Sequence, residues 1–145
     1  MSDSNDRREK GKALARRILK DGPPPFRIPK KFQKYTLENV FGDLWQDEDL
    51  ELWERSLVTC TILVALNREG EQRIHLKAAK ELGVPREKLE AMIIHAAHYA
   101  GWPVAASAFR TLDEVWPDAS QTEVAVSARV ASTTARCGRG GSSLR

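Results

Sequence analysis

The sequence predicts an all-α protein, a compact bundle of about six helices. Three observations lead to this prediction. Apolar residues recur at the three-to-four-residue spacing of amphipathic helices in several segments. No segment sustains the two-residue alternation of a half-buried strand. Glycine and proline residues divide the chain into pieces of ordinary helix length.

The size and composition suit one domain around a single core. The chain has 145 residues, of which 41% are hydrophobic and 30% charged. Its longest near-continuous apolar run, residues 57–66, is too short to cross a bilayer, so no membrane partner is expected. No apolar leader segment opens the sequence, which predicts a cytoplasmic protein. The two cysteines, Cys60 and Cys137, cannot build a disulfide framework and are expected to be free thiols.

The net charge of +3 is unevenly distributed along the chain. Residues 1–35 carry 11 basic and 4 acidic side chains, whereas residues 36–117 carry 8 basic and 14 acidic ones. We expect the basic segment to complement the acidic part of the same or a neighbouring chain. A nucleic-acid partner is not expected, because no aromatic residues alternate with these lysines and arginines to stack on bases.

The first region, residues 1–30, is predicted to be a basic helix followed by a proline-rich connector. The helix spans about residues 5–20, and the sequence Gly-Pro-Pro-Pro at 22–25 ends it. Its apolar side comprises Leu14, Ile18 and Leu19.

The second region, residues 31–117, is predicted to be the helical domain. It begins with a short helix and turn over residues 32–45, broken by Gly42, and Asp47 is expected to cap a helix over residues 48–67. The side chains expected to be buried in these two segments are Phe32, Tyr35, Phe41, Leu44, Trp45, Leu50, Trp53, Leu57, Cys60 and Val64. Beyond Arg55 the second helix is apolar nearly all round, so its second half should be central to the core.

Glycine and proline also set the limits of the remaining helices. A helix over residues 71–82 should end at Gly83. Pro85 suits the first turn of the next helix, which Gly101 ends, and Pro103 restarts a last helix that reaches Val115. The third region, residues 118–145, is rich in Ser, Thr, Ala, Gly and Arg and is predicted to be a tail that is mobile or ordered only by a partner.

Chemically capable side chains are concentrated where the fifth predicted helix meets the sixth. His95, His98 and Tyr99 are spaced i, i+3 and i+4, so all three can border one cleft, and Trp102 can wall it. Two histidines at this spacing lack an evident third ligand, and no HExxH motif is present, so no metal ion is expected.

Four segments in order resemble the carboxymuconolactone decarboxylase family: FGDLW at 41–45, ERSLVT at 54–59, HLKAAKELGVP at 75–85 and HAAHYAGWPVAASAF at 95–109. The resemblance covers about residues 35–116. It implies the helical fold of the carboxymuconolactone decarboxylase and alkylhydroperoxidase-like proteins, assembled as a trimer or hexamer. The chain lacks the Cys-x-x-Cys of the alkylhydroperoxidase-like branch, which indicates the decarboxylase-like branch.

The resemblance further implies a carboxy-lyase of aromatic catabolism, in the β-ketoadipate pathway. The reaction converts 4-carboxymuconolactone to 3-oxoadipate enol-lactone and carbon dioxide. No cofactor is expected, because the conjugated lactone can itself accept the electron pair that the departing carboxylate leaves. The protein must bind an anionic substrate, donate to the developing enolate oxygen and supply a proton to carbon.

On this resemblance Arg55 is expected to bind a substrate carboxylate through its forked guanidinium. His75 is expected to act as general acid or enolate-oxygen donor, with Glu71 one turn earlier holding its tautomer. The alternatives are structural: a salt bridge from Arg55 to Glu51, and a surface His75 paired with Glu71. The remaining substrate contacts are expected from the second cluster, His95, His98, Tyr99 and Trp102.

Two other functions stay open at the level of the sequence. A thiol peroxidase would use Cys60 together with an external thiol. A non-catalytic oligomeric adaptor would use the basic N-terminus to bind an acidic partner.

Overall fold

The computed structural model describes residues 2–20 and 27–117. These residues form six α-helices and no strand, which confirms the all-α prediction. The α-helices are α1 (Ser2–Ile18), α2 (Lys30–Tyr35), α3 (Leu52–Ala65), α4 (Glu69–Glu81), α5 (Arg86–Ala100) and α6 (Trp102–Val115); a π-helix (Thr36–Phe41) and a 3-10 helix (Leu44–Gln46) lie between α2 and α3. The predicted tail over 118–145, with Cys137, and the predicted chain break at 22–25 lie outside the described residues.

Helix α1 packs against the π-helix at backbone distance. A Cβ atom added at Gly11 would lie 1.9 Å from the carbonyl oxygen of Leu37, and one added at Gly42 would lie 2.0 Å from the carbonyl oxygen of Arg7. Only a residue without a side chain permits this approach. Helix α1 therefore belongs to the same compact unit as the helices that follow it, up to Val115.

Apolar side chains of α1 complete a core cluster beneath the 3-10 helix. Leu14 and Ile18, predicted as the apolar side of α1, are buried together with Phe41, Trp45 and Ala78. The basic N-terminal segment also meets acidic residues of its own chain: Arg7 pairs with Asp43 at 3.4 Å, and Lys20 pairs with Glu81.

The aromatic residues before α3 divide between core and surface. Phe41 and Trp45 are buried as predicted, with their ring centroids 5.8 Å apart. The predicted burial of Phe32, Tyr35 and Leu44 is wrong, since all three are exposed. Helix α2 has only six residues, and none of them is buried by the described part of the chain.

Helix α3 begins later than predicted, at Leu52. Its N-terminus carries a capping box, in which the Glu51 side chain accepts the Glu54 N–H and the Glu54 carboxylate accepts the Glu51 N–H. Asp47 is not the cap: its carboxylate accepts the N–H of Asp49 at 3.0 Å in a turn. Leu50, predicted to be buried, is exposed in the turn that this creates.

The second half of α3 is buried on one face only. Ser56, Cys60 and Val64 are buried at successive turns. On the other side, Val58, Ile62 and Leu66 are 49%, 52% and 62% exposed, so the prediction of a central position holds for half of the helix surface. This leaves an apolar stripe on the surface of the single chain, defined by Val58, Ile62 and Leu66 and called here the α3 stripe.

Helices α3 to α6 pack on one another to form the body of the bundle. The buried Gln72 donates from Nε2 to the carbonyl oxygen of Leu63 at 3.1 Å and ties α4 to α3. Arg73 pairs with Glu114 at 2.8 Å and ties α4 to α6. No helix in the described ranges combines the length and apolar character needed to cross a membrane.

The predicted helix stops at Gly83 and Gly101 are confirmed. Both have positive φ, +80° and +101°, a conformation that costs glycine little. Pro85 is the N-cap of α5 rather than a residue of its first turn. Helix α6 begins at Trp102, one residue before Pro103.

Candidate functional site

His75 lies on α4 behind the 3-10 helix. Its imidazole faces the buried Trp45, with ring centroids 6.5 Å apart, and its Nδ1 is buried without a hydrogen-bond partner. Burial lowers the pKa of His75 below its ordinary value, because the apolar surroundings disfavour the charged form, and the negative charge of Glu71 opposes this only in part. The imidazole is therefore neutral at pH 7.

Glu71 acts on His75 only through its charge. It is exposed at the start of α4, and the Nδ1 atom of His75 accepts or donates no hydrogen bond. The expected hydrogen bond that would fix the tautomer of His75 through Nδ1 is absent. The alternative of a surface His75 paired with Glu71 is equally absent, since the imidazole is half-buried against Trp45.

Arg55 is a buried cation. Its side chain is at the start of α3 and the residue is 9% exposed. Its Nη2 donates to the carbonyl oxygen of Asp47 at 3.0 Å, while its Nε is buried without a partner. Within the described part of the chain, no carboxylate pairs with Arg55, so the alternative of a salt bridge to Glu51 is wrong. Glu51 is instead used in the cap of α3.

One short segment touches both of these groups. Trp45 packs against His75, and two residues later the carbonyl oxygen of Asp47 receives the guanidinium of Arg55. The structure thus brings a neutral imidazole and an uncompensated guanidinium to the same connection between the 3-10 helix and α3. This arrangement can bind an anion and place a neutral donor nearby.

The second predicted cluster lies on the surface. The rings of His95 and Tyr99 are in tilted contact with centroids 4.9 Å apart, and those of His98 and Trp102 are in tilted contact with centroids 5.7 Å apart. Tyr99 is 81% and Trp102 69% exposed. The Nδ1 of His98 lies 3.0 Å from the carbonyl oxygen of Ile94. The described residues of one chain do not form the cleft that these side chains were predicted to border.

A cavity of about 790 Å³ opens between α1 and the segment that leads into α3. It is called here the α1 cavity. Its lining residues are Lys10, Ala13, Leu14, Arg17, Trp45, Gln46, Asp47, Glu48, Leu50, Glu51 and Leu52. The sequence did not predict it, because its two walls are some thirty residues apart and no motif joins them. The spacing of Leu14 and Ile18 predicts that α1 packs, but not against what.

The sequence matches the carboxymuconolactone decarboxylase family profile over residues 30–114. This chain belongs to the carboxymuconolactone decarboxylase family. The matched region contains Arg55, Glu71, His75 and the whole surface cluster, whereas α1 lies before it.

Two curated relatives share this region. The chain is 38% identical over 87 residues to a 4-carboxymuconolactone decarboxylase of Acinetobacter baylyi, which is 60% of this chain and 65% of that protein. It is 30% identical over 79 residues to a nitrosuccinic acid decarboxylase of Metarhizium robertsii, which is 54% of each chain. The chain therefore spans less than two thirds of the length of either relative.

Cys60 is poorly placed for thiol chemistry in this member of the carboxymuconolactone decarboxylase family. It is buried on α3, 1% exposed, and burial raises the pKa of its thiol to about 12. The thiolate is the reactive form, so a protonated and enclosed thiol does not attack a peroxide. This observation disfavours the peroxidase alternative.

The described residues show no arrangement for a metal ion. In residues 2–20 and 27–117, no group of three or more His, Cys, Asp or Glu side chains comes together in a way that could hold one. The imidazole of His95 contacts the ring of Tyr99, and that of His98 contacts the ring of Trp102.

Proposed function

We propose that the protein is a cofactor-independent decarboxylase of a small carboxylated lactone, with 4-carboxymuconolactone as substrate or a close analogue of it. Membership of the family and the decarboxylase names of both relatives support this proposal. The observation that carries it is the buried guanidinium of Arg55, which lacks a counter-ion among the described residues. A role in aromatic catabolism and a cytoplasmic location are part of the same proposal.

Arg55 binds the substrate carboxylate in this mechanism. A buried charge without a partner is unfavourable, so an anion that reaches the guanidinium gains more than it would at an exposed cation. The Nη2 of Arg55 donates to the carbonyl oxygen of Asp47, and its Nε is buried without a partner, so N–H groups of the guanidinium remain for the substrate carboxylate.

His75 stabilises the charge that forms when carbon dioxide leaves. The electron pair of the broken C–C bond moves through the conjugated double bond to the lactone carbonyl, which becomes an enolate oxygen. A neutral imidazole donates an N–H bond to that oxygen without the cost of burying a second cation in the site. A proton taken up from solvent then adds to carbon, the enolate oxygen reverts to the lactone carbonyl, and the lactone product is released.

The surface cluster contributes to the pocket through a neighbouring subunit. His95, His98, Tyr99 and Trp102 are exposed on one chain, and the substrate contacts proposed for them require a surface that faces them. A homo-oligomer, a trimer or hexamer, supplies such a surface. The α3 stripe supports this proposal, because apolar side chains at three successive turns of a helix favour burial against a partner.

The oligomer has a direct test. Light scattering of the unaltered protein should give a mass that is a multiple of 16.3 kDa. Ile62→Glu places a charge in the α3 stripe and should shift the mass toward the single chain, because burying an unpaired charge opposes association. Leu44→Glu, at an exposed leucine outside the stripe, is the matched control. A mass of one chain for the unaltered protein contradicts the proposal.

Arg55→Gln tests the function itself. The assay follows the loss of lactone absorbance and the release of carbon dioxide from 4-carboxymuconolactone. The unaltered protein should turn the lactone over, and Arg55→Gln should lower kcat/KM by about 10-fold to 100-fold, the value of hydrogen bonds to a charged group. Arg110→Gln, which removes an exposed guanidinium from α6, should leave kcat/KM within about twofold. Equal activities of the two variants would reject the role of Arg55.

A further inference from the structure

The α1 cavity adjoins the proposed site through two shared residues. Trp45 lines the cavity and also packs against His75. Asp47 lines the cavity, and its carbonyl oxygen receives the guanidinium of Arg55. A molecule in this cavity therefore contacts two residues that are themselves in contact with the proposed catalytic groups.

Most charged groups that line the cavity are already engaged. Lys10 pairs with Asp6 at 2.9 Å. The carboxylate of Asp47 accepts the N–H of Asp49, and that of Glu51 accepts a backbone N–H in the cap of α3. Two lining charges remain: within the described ranges neither the guanidinium of Arg17 nor the carboxylate of Glu48 forms an ion pair, and Arg17 is the one of the two that can attract an anion.

Arg17 also stands outside the region that the family shares. The family match begins at residue 30, so the wall of the cavity that carries Arg17 is contributed by α1 and not by the matched body. Arg55 and His75 lie within the match and provide the proposed chemistry. Because Arg17 lies outside the region that the family shares, it is suited to distinguish substrates that have the same reacting end but differ elsewhere.

We infer that the α1 cavity is a substrate-recognition subsite, in which Arg17 binds a carboxylate remote from the one that is lost. Arg17 is thus a specificity-determining residue for a dicarboxylate. The inference rests on the proposed function for the identity of the reacting end, but the binding of a remote carboxylate can be measured without turnover. The guanidinium contributes charge and a bidentate fork, and the open cavity leaves room for the connecting carbon chain.

The test compares Arg17→Gln with Arg16→Gln by titration calorimetry. Both arginines are exposed on α1, but only Arg17 lines the cavity. The probes are adipate, which has two carboxylates, and its monomethyl ester, which has one. Arg17→Gln should weaken adipate binding about fivefold, the upper range for an exposed ion pair, while Arg16→Gln should not. Binding of the monomethyl ester should be the same in all three proteins.

Several outcomes would overturn the inference. Equal weakening of adipate binding by both variants would indicate only the general positive charge of α1. An unchanged affinity for adipate in Arg17→Gln would also overturn the inference, as would the absence of adipate binding by the unaltered protein. Failure of the proposed function is recognised separately, as an absence of lactone turnover by a protein that still binds adipate through Arg17.

Discussion

His75→Phe is expected to lower kcat for lactone decarboxylation by about 100-fold, the effect of removing one positioned donor or acid. Phenylalanine keeps a ring against Trp45, so packing behind the 3-10 helix is preserved, while both ring nitrogens are lost. KM should change little, because the bond to the enolate oxygen strengthens only in the transition state. Ile74→Gln, at the exposed neighbouring position on α4, is the control for changes in the helix itself.

The pH dependence of the unaltered enzyme gives the same prediction a second readout. Because burial lowers the pKa of His75, the neutral imidazole is the form present from pH 7 down to below its ordinary value of 6.5. We expect kcat to fall at low pH, with the midpoint of the fall below pH 6.5. The free energy of unfolding should also fall below about pH 6.5, since the unfolded chain takes up this proton first. In His75→Phe, the fall in kcat and the fall in the free energy of unfolding at low pH should both be altered. A kcat–pH profile that is the same in the variant and in the unaltered protein would reject the role of His75.

Gly42→Ala is expected to lower the free energy of unfolding by about 3 kcal/mol or more, beyond the usual cost of overpacking. The new Cβ would lie 2.0 Å from the carbonyl oxygen of Arg7 and 2.6 Å from that of Leu37. Backbone atoms in α1 and the π-helix cannot rotate away as a flexible side chain can, so the helices must separate. Denaturation in urea, followed by circular dichroism, measures the loss.

The control for this substitution is Gly70→Ala. Gly70 lies in the first turn of α4, and no atom stands within 4 Å of an added Cβ. Alanine there should be neutral or stabilising by up to about 1 kcal/mol, because it has the higher helix propensity. If both alanine variants have the stability of the unaltered protein, α1 is not docked through Gly42.

Local features of the fold were predictable from the sequence because they depend on a few neighbouring residues. The stops at Gly83 and Gly101 require positive φ, and the sequence shows where glycine provides it. The start of α3 was misplaced because Asp47 was expected to be its cap, whereas the structure uses Glu51. The glutamate three residues after Glu51 favours the position that the structure uses, and this pattern was visible in the sequence.

Features that depend on distant segments were not predictable. The sequence of α3 is apolar on nearly all sides, and nothing local indicates which side the other helices cover. Arg55 and His75 were expected from the family resemblance, but the absence of a carboxylate near Arg55 is a property of the folded chain. The α1 cavity requires α1 to lie against residues 45–52, and the contact depends on the docking of α1 at Gly42.

The core cluster beneath Trp45 has a consequence for how this protein can be divided. Two of its buried members, Leu14 and Ile18, come from α1, before the segment that relatives share. The region that matches the family, residues 30–114, is therefore shorter than the region that packs as one compact unit, which includes α1. A fragment limited to residues 30–114 would lack Leu14 and Ile18, so the indole of Trp45 would face water. The packing that holds Trp45 against His75 would then be lost on the side of α1.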